Sequence, residues 1–514
     1  MKKTFITIVL LLTYFVSVAQ EHFHCIIDEN DNDREPSVVI ANPKYGHIES
    51  YIPDMDSSIA LHNPPIKTIR VNINILQKDD GTGNFQDNED TRNRFRQIIE
   101  WINQFYSSYA PSDPIEWVEE LPSYDSRVRF SIGEEGNERI FFYKNTEFWD
   151  PYNGNYDIYS HISNIYPERM DAINLYVFGN PLGELNKASA NYPQMNIYSD
   201  HKILCYYWQP ISDNAIANLL GHEFGHSLNL SHTYDSVACD IYHDEFIKDV
   251  FMIDTVTQEC NCPHIVDWEA DAYAINGDKI TNNLMGGNRE QRYISPLQAG
   301  MMHLSLSLTS ARKYVTCEKS NIPLTITENE TWDFNIKLYR DLIIESGATL
   351  TLSNYLVMLP DAKIIIKPGG RLIVDGGTIT TDIYETSKWQ GIEVWGNDSI
   401  PQYPYDGVYS QGFLELKNGA TIENAVCAVE LWNPLDNHSE GGIVHATDAI
   451  FRNNAKAIHA LNYTNYDPET NFEVDYNSSF NNCSFVVDSN YMGEELFQRH
   501  IDLSNVSGFN LHGC

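Results

Sequence analysis

The chain predicts two unlike folds in series: an α/β region up to about residue 318, then an all-β, right-handed parallel β-helix over 322–514. Three observations predict this. Ile69–Leu76 alternates apolar and polar residues, and Thr91–Tyr106 follows with Phe95, Ile98, Ile99, Ile102 and Phe105 at helical spacing. Near residue 320 the helical period vanishes, and short apolar runs recur between Gly, Asn and Asp. Among those runs, Ala420–Val429 aligns with Ala449–Ile458 at an offset of 29 residues. A chain of 514 residues is also too long for one core.

The elements follow in order. Residues 1–20 read as a secretory signal: Lys2 and Lys3, an apolar run Phe5–Val18, and a cleavage position near Ala19 or Gln20. Residues 21–65 are polar and acidic, without clear periodicity, and read as a pro-segment or irregular arm. The region 66–318 then alternates strands and helices. Val128–Ile132 and Ile140–Tyr143 are short strands, and Ala172–Phe178 is a central one. Ala188–Ile197 is polar and irregular. A helix is predicted over Asp213–Leu228 with Asp213 as N-cap, and Gly221 and Gly225 within it admit close approach of other backbone. After an acidic, cysteine-bearing stretch over 235–280 come a tight turn at Asn282–Gly287 and a helix at Ser295–Leu308, with Met301, Leu304 and Leu308 on one face.

In the last region the strands are Gly347–Leu352, Ala362–Ile366, Gly370–Val374, Gly391–Val394, Ser484–Val487 and Ile501–Leu503. A β-sandwich is the alternative; the aligned coils and Gly-Gly turns favour the β-helix, in which no coil is stable alone. The pattern stops in mid-coil at Asn510–Cys514, which is read as truncation.

Composition narrows the function. A net charge of −37 disfavours nucleic acid and anionic membrane as partners, because phosphate would be repelled. It is compatible with calcium binding. No segment after the signal has the apolar length of a membrane span, so the expectation is a secreted or cell-surface protein. Nine cysteines in an exported chain suggest disulfides, with no connectivity implied.

The chemistry-bearing stretch is His222-Glu-Phe-Gly-His-Ser-Leu-Asn-Leu-Ser-His232. His222 and His226 are four apart, so a helix presents both imidazoles on one face, where they can hold two corners of a tetrahedral Zn2+ site. Glu223 is the candidate general base. His232 supplies a third ligand only if the chain turns sharply between, and that turn falls at Asn229. Asn is the residue that tolerates a left-handed turn best after Gly.

His222–His232, Thr233 and the later Asn283-Leu-Met285 turn resemble a metzincin of the pappalysin (cytophagalysin) type, over about residues 66–318. The resemblance implies a zinc endopeptidase acting on protein or peptide substrate. His222, His226 and His232 would be the ligands, Glu223 the base and Met285 the Met-turn residue. It implies that Ala188–Ile197 is an edge strand that pairs with extended substrate. Ca2+ is bound near the site in some members; Asp235, Asp240, Asp249 and Asp254 are the candidates here, with solvated carboxylates the simpler reading. Cys25 is a candidate latency ligand, with a disulfide or free thiol as alternatives. Two residues depart from the pattern: Asn229 replaces a glycine, and Gly287 stands where many members have tyrosine. Tyr293 is a nearby substitute. The competing function is a β-helix that binds a glycan or cell surface beside an inactive metzincin domain, with Trp389, Trp395 and Trp432 available to stack on sugars.

Overall fold

The computed structural model describes residues 23–25, 42–108, 110–111, 122–150, 158–179, 186–191, 202–206, 212–231, 282–285, 292–382, 384–405 and 407–514. The signal-like segment, His232, the 235–280 stretch with the four candidate calcium ligands Asp235, Asp240, Asp249 and Asp254, Cys239, Cys260 and Cys262, and Gly287 lie outside these residues.

The α/β region is built on one eight-stranded sheet. Its strands are β1 (Phe23–Cys25), β2 (Lys67–Gln77), β3 (Val128–Ser131), β4 (Ile140–Lys144), β5 (Ile173–Phe178), β6 (Asn186–Ala190), β7 (Lys202–Tyr206) and β8 (Val315–Thr316). The order is β1-β6-β7-β5-β2-β3, with β4 and β8 also pairing with β2. Pairing is parallel except for β6 on β7 and β8 on β2.

Strand β2 departs from the expected half-buried pattern, because both of its faces are covered. Its apolar face (Ile69, Val71, Ile73, Ile75) enters the main core. Its polar face is buried too, since Asn72 and Asn74 find hydrogen-bonding partners there. Their amides donate to Asn174 Oδ1 at 3.1 and 3.0 Å, and Arg139 Nε donates to Asn72 Oδ1 at 2.7 Å.

Three corrections concern element ends and surroundings. The first long helix is Glu89–Phe105, capped by Asn88, whose Oδ1 accepts from Thr91 N at 3.0 Å. The motif helix is Asp213–Ser227, and Ser212 rather than Asp213 is its N-cap. The later helix is Pro296–Leu308, with Ser295 and Gln298 closing a reciprocal capping box. Leu297–Leu308 is buried on every face, not on one, because this helix is wedged between the two regions.

Beyond residue 318 every strand pair is parallel, in three stacked sheets of seven, six and seven strands. This is a parallel β-helix. The 29-residue offset seen in the sequence is its register: Thr421 pairs with Ile450, Ile422 with Phe451 and Val429 with Ile458. Asn424 and Asn453, one offset apart, both turn corners at positive φ (60° and 55°), which Asn tolerates. Trp389 lies in the core and Trp432 is buried against His459, with centroids 4.4 Å apart, so neither is an open stacking platform for a sugar.

The arm is not a loose appendage from residue 42 onward. Tyr45 is buried, and its hydroxyl donates to Glu330 of the first coil at 2.9 Å. Arg340 donates to the Asn63 carbonyl at 3.0 Å. Residues 42–65 thus hold the α/β region against the β-helix. Cys205, Cys317, Cys427, Cys483 and Cys514 are free thiols, and no disulfide joins these five. Among the described residues no helix is long and apolar enough to cross a membrane.

The junction also contains a fully buried ammonium. Lys337 Nζ lies 2.6 Å from Asp382, 3.3 Å from Glu385 and 3.3 Å from the Arg312 carbonyl. Burial alone would lower its pKa, but the two carboxylates outweigh it and hold the group above the ordinary lysine value. Substituting Lys337→Met strands two carboxylates and is expected to cost about 3–5 kcal/mol. Denaturant unfolding measures this; a loss under 1 kcal/mol would show the junction to be water-screened.

Candidate metal centre

The motif helix is held from both sides. Phe224 stacks on Phe130 of β3 with centroids 4.4 Å apart, and Tyr106 donates its hydroxyl to the Gly221 carbonyl at 2.8 Å. Arg94 pairs with Asp213 at its first turn, where a carboxylate also suits the helix dipole. The helix ends at Ser227, and Asn229 follows at φ 76°, in the left-handed region. Two bonds close the end: Asn229 N donates to the His226 carbonyl at 2.9 Å, and Leu230 N to the Gly225 carbonyl at 3.0 Å. Asn229 therefore occupies the conformation for which glycine is the usual residue.

His222 and His226 are both buried, and their rings are fixed by main chain. His222 Nδ1 lies 3.0 Å from the Leu284 carbonyl, and His226 Nδ1 lies 2.7 Å from the Leu230 carbonyl. A carbonyl only accepts, so each Nδ1 carries the hydrogen and each neutral ring keeps its lone pair on Nε2. The two Nε2 atoms are 3.0 Å apart. Burial pushes His222 down to about 4, and burial with the neighbouring imidazole pushes His226 well below its ordinary value. Two neutral nitrogen donors thus aim at a common point, each oriented by a carbonyl behind it. That donor set fits a zinc-type cation. Among the described residues no third His, Cys, Asp or Glu joins them; His232 lies outside those residues.

Glu223 is fully buried beside His222. Its carboxylate lies close enough to Cys205 of β7 to raise that thiol's pKa, after burial itself. In the sequence Cys205 only flanks the motif region; its approach to Glu223 comes from the fold.

The Asn283–Met285 turn lies under the two histidines. Asn283 Oδ1 accepts from Met285 N at 2.9 Å, and Leu284 N donates to the Tyr293 carbonyl at 2.7 Å. Asn283 and Gln298 exchange amide hydrogen bonds of 2.9 and 3.0 Å, which fasten the turn to the Pro296–Leu308 helix. The same turn offers the Leu284 carbonyl to His222. Met285 is buried, and its sulfur fills the space that a side chain at Gly225 would need. This corrects the expectation of backbone approach at the two glycines: a side chain packs on Gly225, and Gly221 has only ordinary contacts around it. Tyr293 is buried and bridges to Asn283 through its backbone.

Of the expected edge strand Ala188–Ile197, residues 192–197 lie outside the described residues, and the part described is not an edge. β6 is paired on both sides, antiparallel with β7 and parallel with β1. Cys25 faces Ala188 in that register; its side chain lies outside the described residues.

The chain matches no model of a known protein family, and a search of characterised proteins gives no match.

Two outcomes follow from this geometry. Gly225→Ala forces Met285 to move and is expected to cost about 1–3 kcal/mol, whereas Gly221→Ala should be neutral or gain up to about 1 kcal/mol. Equal melting temperatures for the two variants would contradict the packing. In chelator, stability should fall with acid. The unfolded chain takes up protons on these histidines below about pH 6.5, and folded His222 only near pH 4, so between those values the unfolded state binds more protons. His222 alone contributes on the order of 3 kcal/mol across that window. Urea midpoints at pH 7 and pH 5 test this, and equal midpoints would refute a neutral buried pair.

Proposed function

We propose that the chain is an exported zinc-dependent endopeptidase of the metzincin type. His222, His226 and His232 hold the metal, and Glu223 is the general base. With it we propose the zincin assignment of the α/β region and the right hand of the β-helix. The observation that carries the reading is the 3.0 Å approach of two Nε2 atoms whose lone pairs are directed by carbonyls behind them. Neutral lone pairs facing one another repel, and a cation between them removes the conflict.

Zinc bound there would polarise a scissile carbonyl and make water more acidic. The chain's own groups supply the rest. Glu223 accepts the water proton on a carboxylate oxygen and delivers it to the leaving amine. Its burial keeps bulk solvent from competing for that proton. The left-handed Asn229 redirects the chain after the helix, as a ligand at His232 requires. Met285 sets the floor between the histidines. An extended peptide that pairs with β6 on its outer side would take the place of Phe23–Cys25, so release of that strand precedes turnover. Cys25 in this position is the proposed latency ligand.

Metal analysis of purified, chelator-free protein resupplied with zinc should give one zinc per chain, with His232→Ala retaining markedly less. Glu223→Gln should keep the zinc and lose at least about 100-fold in peptide hydrolysis. Absence of zinc from folded protein, or undiminished turnover in Glu223→Gln, sinks the reading.

A further inference from the structure

Three successive coils of the β-helix send out long loops at the same corner. They are residues 395–412, 431–442 and 461–478, each joining a third-sheet strand to the next first-sheet strand. The same corner one coil earlier is short, residues 367–370. The loops are tied into one body. Gln402 is buried, and its side chain donates to the Gly441 carbonyl at 2.9 Å and accepts from Asn477 N at 2.7 Å. Its own backbone N donates to Asn465 Oδ1 at 2.9 Å. Tyr463 donates to the Ile400 carbonyl at 2.6 Å, and Gly396 N to the Ser439 carbonyl at 2.7 Å. A single glutamine thus reaches all three loops.

The tips of this rigid body are apolar and bare. Tyr405 is 84% exposed, Leu435 90% and Phe472 74%, with Val408 and Tyr403 also open. Single exposed apolar side chains are ordinary, but several grouped on one pre-organised body mark an interaction site. The charge around them has one sign: the three loops hold eight Asp and Glu and no Lys or Arg. We propose that this corner is a docking surface for a cationic protein segment, one presenting Lys or Arg interleaved with apolar side chains. The apolar tips supply anchors, the carboxylates supply steering, and the tyrosines offer faces to a cation. A second copy of the chain, carrying −37, would be repelled, and so would an anionic surface. The inference does not rest on the hydrolase reading.

The whole chain is acidic, so any basic peptide binds it weakly somewhere; the discriminating variant changes no charge. Binding of a fluorescent peptide alternating Lys with Leu would be followed by anisotropy on the full chain and on Tyr405→Ser/Leu435→Ser/Phe472→Ser. All three substitutions lie at exposed tips, and circular dichroism would verify the fold. The expected result is at least about tenfold weaker binding in the variant, the effect of losing exposed anchors. A second variant, Asp436→Asn/Glu440→Gln/Asp467→Asn, should weaken binding at low salt and flatten its salt dependence. Equal affinity of wild type and the tip variant overturns the proposal. So does equal binding of a Glu-for-Lys peptide, preference for a neutral oligosaccharide, or self-association that the tip variant abolishes.

Discussion

A coil of parallel β-helix cannot cover its own apolar interior, so the first coil must be closed by something else. Here the Pro296–Leu308 helix, buried on all sides, packs on Ile336–Leu338, and Tyr339 donates to its Leu306 carbonyl at 2.5 Å. One apolar core therefore runs from the α/β sheet into the coils. That helix is also where Gln298 grips Asn283, and the gripped turn is what presents a carbonyl to His222. Closing the β-helix and orienting an imidazole are two results of one buried helix.

Polar groups are buried at each step of that path, and several are matched to one another. Asn72 and Asn74 meet Asn174, Asn283 meets Gln298, and Lys337 meets two carboxylates. Leaving any of them unmatched in this interior would cost more than the hydrogen bond itself contributes. These matches fix registers and orientations that apolar packing alone leaves loose.

The sequence carried what is local. A four-residue histidine spacing, an Asn at the left-handed position and a 29-residue repeat are short-range signals, and each has its counterpart in the structure. Long-range pairing was not legible. Asn72 and Asn74 read as a solvent face because their partner lies 100 residues away on β5. The helix at 296–308 read as one-sided because its outer cover comes from the β-helix and from residues 48–52, which showed no periodicity. The packing of residues 42–65, within the stretch 21–65 read as a pro-segment or irregular arm, was not legible because their partners, Glu330 and Arg340, sit beyond residue 318. The loop corner escaped notice because its exposed side chains are spread over about 70 residues, and the bonds that join the loops, such as those of Gln402 and Tyr463, are long-range.

Stacked strands also make a ruler. Successive coils rise by roughly 5 Å whatever their sequence. The looped corner begins at the passage from the second first-sheet strand after Trp332's to the third, so its distance from the junction is a number of coils rather than a set of contacts. Inserting or deleting a coil between them would lengthen or shorten that reach in fixed steps. The loops would keep their shape and the two histidines their aim, because each coil touches only its neighbours.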